Sequence, residues 1–104
     1  MMRKDLINEI ILTGNVSWQK HALQRMMERK ISRADVKKAI MEGVIIETYT
    51  KDKPFPSVLI AHVNREVSLH VVAAFDLDNK TCYIITAYIP DGKYFENDLI
   101  TRRK

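Results

Sequence analysis

His21, Arg25 and Arg29 stand four residues apart within Ser17-Trp18-Gln19-Lys20-His21-Ala22-Leu23-Gln24-Arg25-Met26-Met27-Glu28-Arg29-Lys30. Read as a helix turning about 100° per residue, that stretch sets the three side chains along one line about 12 Å long. Guanidinium groups take phosphate in a two-pronged way, and an imidazole can move a proton near neutral pH. The line therefore carries the chemistry of a phosphate-handling surface. Its plainer alternative is a solvated basic face on which Glu28 pairs with Arg25 or Arg29, and spacing does not separate the two.

The same helix must be held by its other side. Ala22, Leu23, Met26 and Met27 form a core-facing stripe, and Ser17 is placed to act as N-cap. Before it, Leu6, Ile7, Ile10 and Ile11 repeat with helical spacing, so residues 4–12 read as a first helix ended by Gly14-Asn15. After it, Ser32 reads as an N-cap with Asp35 in a capping-box position, Val36, Ala39 and Ile40 give a third stripe, and Gly43 supplies the stop.

Past Gly43 the period falls from 3.6 to 2. Strands are expected over residues 44–50, 57–63, 67–75 and 81–89, separated by a loop holding Pro54 and Pro56, a polar Asn64-Arg65-Glu66 turn and a turn near residues 76–80, with Pro90-Asp91-Gly92 at the end. Helices first and strands afterwards give an α+β domain with N-terminal helices packed on a four-stranded antiparallel sheet. No linker or repeat divides residues 1–104, so a single domain is expected.

Register decides which polar groups meet. In the third strand Val67, Leu69, Val71, Ala73 and Phe75 alternate with Ser68, His70, Val72, Ala74 and Asp76. In the fourth, Tyr83, Ile85, Ala87 and Ile89 alternate with Cys82, Ile84, Thr86 and Tyr88. A connecting loop with an odd number of residues, such as 77–81, places His70 opposite Tyr88 and Val72 opposite Thr86. An even loop places His70 opposite Ala87. The odd loop is expected because it gathers the polar groups on one face.

The 104 residues, 46% hydrophobic and 29% charged, suit one ordinary globular domain with its own core. The apolar runs are too short for a membrane span, and the charged start lacks the apolar segment of a secretion signal. A single cysteine, Cys82, excludes an internal disulfide, and together these features point to the cytoplasm. The net charge of +4 is modest, but seven basic residues face two acids between Lys20 and Lys38, and Arg102-Arg103-Lys104 closes the chain. Two basic clusters on a balanced domain fit a polyanion footprint.

Several of these motifs occur together and in order: His-x3-Arg-x3-Arg-Lys-Ile-Ser, Gly43-Val44-Ile45-Ile46, Leu69-His70-Val71-Val72 and Ile85-Thr86-Ala87-Tyr88-Ile89-Pro90-Asp91. In them the chain resembles domain-of-unknown-function family 4258, which is related to the RelE-like and BrnT-like ribonuclease toxins of bacterial toxin–antitoxin modules. The resemblance spans roughly residues 17–103. It implies a RelE-like fold with an RNA-facing sheet surface, and it matches His21, Arg25 and Arg29 to the helix signature, His70 to the third-strand histidine, and Thr86 and Tyr88 to the Thr-x-Tyr of the last strand. RNA, met on or off the ribosome, and an antitoxin protein are the implied partners.

Metal-free RNA cleavage needs a base for the 2′-hydroxyl, an acid for the leaving oxygen and positive charge around the developing phosphorane. His21 or His70 is expected as the general acid/base within a catalytic set of His21, Arg25, His70 and Tyr88. Arg29, Thr86, Lys20 and Arg103 are expected to bind and orient substrate. No cofactor or metal is expected: His21, His62, His70 and Cys82 are ligand types whose spacing matches no zinc pattern, and Cys82 reads equally as a small buried hydrophobe. The competing class is a non-catalytic module that holds nucleic acid or an acidic protein. A third reading is an interaction module, with Trp18, Met26 and Met27 or an exposed edge strand lining the contact.

Overall fold

The computed structural model describes residues 3–63, 68–90 and 100. Among these, isoleucine spacing folds the first segment into α1 (Lys4–Leu12), which buries Ile7, Ile10 and Ile11. Gly14, at φ +83°, then reverses the chain. The next segment departs from expectation. Val16–Trp18 is a strand, β1, and Ser17 sits inside it, so Ser17 does not cap the next helix. The cap position belongs to Gln19, which makes no side-chain cap bond, and α2 spans Lys20–Glu28. Half-buried Val16 and Trp18 pack on the core, and the Asn15 carbonyl accepts the Cys82 N–H at 2.8 Å, so burial and sheet pairing outweigh the capping preference of serine.

α2 buries Ala22 and Met26 and half-buries Leu23, while Met27 is 81% exposed and outside the expected stripe. The helix ends in a Schellman motif: the Ile31 N–H donates to Met26 O at 2.9 Å and the Lys30 N–H to Met27 O at 3.2 Å. Lys30 takes the left-handed conformation at φ 58°. α3 (Arg33–Glu42) carries the expected capping box, with Ser32 and Asp35 bonding each other's backbone N–H, and buries Val36, Ala39 and Ile40. At Gly43 an added Cβ would lie 2.5 Å from Ala39 O and 2.6 Å from Ala61 O, so only glycine passes between α3 and the sheet there.

The strands β2 (Val44–Tyr49), β3 (Ser57–His62), β4 (Leu69–Asp76) and β5 (Thr81–Tyr88) form the expected antiparallel run. The sheet is nevertheless five-stranded and mixed, in the order β1-β5-β4-β3-β2, because β1 adds in parallel to the outer edge of β5 through Val16–Cys82, Ser17–Tyr83 and Trp18–Ile84. The four-stranded antiparallel sheet is thus corrected to five. Three residues between two helices are too short to show a strand period. The helices pack on one face of the sheet, over Val58, Ile60, Val71, Ala73, Phe75, Cys82, Ile84 and Ala87.

The β4–β5 pairing comes out as expected for a different reason. The loop has four residues, 77–80, because Asp76 pairs with Thr81, and the asparagine of that loop is tied to both Asp76 carboxylate oxygens. An even loop would leave His70 opposite Ala87. A bulge at Ile85 shifts the ladder by one, so that His70 pairs with Tyr88 and Val72 with Thr86. Core-facing positions on β5 accordingly run Cys82, Ile84 and then Ala87. The Asn64-Arg65-Glu66 turn, Val67, Asp91-Gly92 and the cluster from Arg102 to Lys104, including Arg103, lie outside the described residues.

Candidate functional site

Lys20, His21, Arg25 and Arg29 all lie on the exposed part of α2 or at its cap. Arg25 has its Nη1 3.8 Å from Glu28, a loose exposed pair that contributes little to stability and leaves the guanidinium accessible. Arg29 is different. Its Nη1 donates to the carbonyl of Ala87 in β5 at 2.8 Å. β1 stops opposite Ile84, and beyond that point α2 supplies this donor to the strand. A single Arg group thereby fixes the C-terminal end of the basic line to the end of β5.

Tyr88 follows Ala87 directly, half-buried on the sheet face turned away from the helices. Its hydroxyl lies 3.3 Å from His70 Nδ1, and the two rings meet edge to face with centroids 5.3 Å apart. His70 is fully buried, at 0% exposure. It can orient Tyr88 but is screened from a large solvent-borne ligand. Thr86, partly exposed, occupies the next position of the same ladder opposite Val72. Arg29 thus meets β5 at the Ala87 backbone, whereas Tyr88, His70 and Thr86 gather on the sheet face turned away from α2, and His21, Arg25 and Lys20 lie farther along the helix.

The remaining ligand-type residues are dispersed. His62 faces Glu42 at 3.9 Å, and burial pushes the Cys82 thiol up to about 12, which removes it as a nucleophile at neutral pH. Among the described residues no three His, Cys, Asp or Glu side chains gather as a metal site, and no helix is long and apolar enough to cross a membrane.

Two features escaped the sequence. Arg33 lies over the Trp18 ring at 5.7 Å, pinning the start of α3 to the edge strand. Phe55 stacks on Tyr83, with centroids 5.5 Å apart and planes 4° from parallel, beside a cleft of about 430 Å³. Phe55, lying between two prolines in a polar loop, was the available signal.

The model of the family described as Domain of unknown function (DUF4258) matches residues 18–89, which contain α2, α3 and the four antiparallel strands. No curated protein and no solved structure matches the chain. The match takes in most of the chain and every described residue of the site, and the protein belongs to the DUF4258 family.

Proposed function

We propose that the protein is a RelE-like, BrnT-like endoribonuclease of the toxin type, cleaving RNA in the cytoplasm by metal-independent acid/base chemistry and held in check by an antitoxin protein. The observation that carries this reading is the Arg29–Ala87 bond, which brings the basic edge of α2 to the residue preceding Tyr88. Arg25, Arg29 and Lys20 bind the phosphates, and their charge offsets the negative charge that grows on the phosphorane. His21, exposed, is the general acid/base that reaches the RNA. Tyr88 and Thr86 orient the strand where it passes the end of β5, and His70 holds the Tyr88 ring from behind.

The complete burial of His70 favours a second reading, in which the same face holds RNA without cutting it. Induced expression in a bacterial host separates the two. Growth arrest with RNA decay from the wild type, absent from a His21→Ala/Arg25→Ala double variant that folds normally, supports the nuclease. Undisturbed growth and intact RNA contradict it, and salt-dependent RNA binding without products identifies the binding module.

A further inference from the structure

The cleft beside Phe55 and Tyr83 lies away from Arg29, on the sheet face that also carries Tyr88. Ala73, Phe75, Cys82 and Ile84 point to the helices, so Ala74 and Tyr83, which pair across the ladder, point the other way. On that face the pairs Ala74–Tyr83, Val72–Thr86 and His70–Tyr88 follow one another along β5. At about 3.3 Å per residue, Tyr83 and Tyr88 are roughly 15 Å apart.

The walls of the cleft are suited to a flat ring. Phe55 and Tyr83, half-buried, already stack on each other, so a ring can lie against the outside of the pair and not between its members, and Ile85, raised by the bulge, is 44% exposed. The rim is polar, with exposed Gln19, Asp52 and Lys53. Asp52 is fixed by the Ser57 hydroxyl, which donates to it. A volume of about 430 Å³ falls in the range of small-ligand sites. Aromatic faces beside a cation are the usual means of holding single-stranded nucleic acid, because every base has a π-face and every link a phosphate.

We propose that this cleft is a base-stacking subsite: it holds one base of single-stranded RNA against the Phe55–Tyr83 pair, with Lys53 at the adjoining phosphate. The inference rests on the RNA reading above and adds to it where the strand is gripped away from the reacting bond. Stacking of this kind is tolerant of base identity, so the subsite sets the path of the strand more than its sequence.

The test uses a fluorescent 2′-O-methyl oligoadenylate, which lacks the attacking hydroxyl and so reports binding apart from cleavage, and the same oligomer with abasic positions. The wild type is expected to bind the base-bearing oligomer about tenfold more tightly. Phe55→Leu and Tyr83→Leu should each erase most of that preference while leaving abasic binding and the circular dichroism spectrum unchanged. Phe55, in a loop, provides the variant least exposed to misfolding. Lys53→Ala should weaken both oligomers alike. Equal binding of the two oligomers by the wild type, or an undiminished preference in a folded Phe55→Leu protein, overturns the subsite. So does preference for a free adenosine monophosphate over the oligomer. Base-dependent binding by a wild type that never cleaves unmodified RNA contradicts the nuclease and keeps the subsite. Cleavage without base preference does the reverse.

Discussion

Arg29 donates from its guanidinium to the Ala87 carbonyl at 2.8 Å, linking residues 58 positions apart and fixing the end of the basic helix to the end of β5. The bond occupies part of a five-donor fork and leaves the rest for a phosphate. Arg29→Ala is expected to lower the slope of log affinity against log salt for RNA by about one, as loss of one phosphate contact does. Salt-series binding measurements check it, and an unchanged slope would confine Arg29 to a structural part.

The Tyr88 hydroxyl and the His70 ring are 3.3 Å apart. Tyr88→Phe keeps the edge-to-face packing and removes the hydroxyl. Cleavage of RNA should fall by about 100-fold, as misplacement of a bound substrate does, with little change in melting temperature. A fall in melting temperature with cleavage retained would make the pair a packing element.

Gly43 has carbonyl oxygens on two sides of the space a methyl group would take, and neither can rotate away. Gly43→Ala is expected to destabilise the fold by about 1–3 kcal/mol in urea denaturation.

Lys30 closes the Schellman turn in a conformation that costs a residue with a Cβ roughly 1 kcal/mol. Lys30→Gly should therefore raise stability by up to about 1 kcal/mol, leaving α2 and its line of charges in place. A loss of stability would indicate that the lysine side chain makes a contribution larger than the backbone strain.

The Cys82 thiol, raised to about 12 by burial, is held protonated at pH 8. A thiol reagent at that pH should modify the folded protein only at its opening rate and the urea-unfolded protein rapidly. Fast labelling of the folded chain would contradict the burial.

Local period and capping determine what could be read from the residues. The Ser32–Asp35 box, the isoleucine stripes of α1 and the four antiparallel strands all come from local pattern. β1 did not, because three residues carry no period and their strand conformation comes from pairing with β5, far off in the chain. The β4–β5 register shows the limit most clearly. The expected His70–Tyr88 pair is present, yet the loop is even and the bulge at Ile85 supplies the missing step. Nothing in Ile84-Ile85-Thr86 marks a bulge.

The candidate site divides in the same way. Arg25 and His21 are exposed on one helix edge as their spacing suggests. The full burial of His70 and the reach of Arg29 to Ala87 depend on tertiary packing, and so does the Phe55–Tyr83 stack.

The most direct measurement is the fate of unmodified RNA with purified protein in the presence of a metal chelator, read by gel and by the chemistry of the new ends. Joint action of the α2 edge and the β5 end by 2′-hydroxyl attack requires cyclic phosphate ends from the wild type and none from the folded His21→Ala/Arg25→Ala variant. Intact RNA with the wild type, or equal cleavage by the variant, would contradict it.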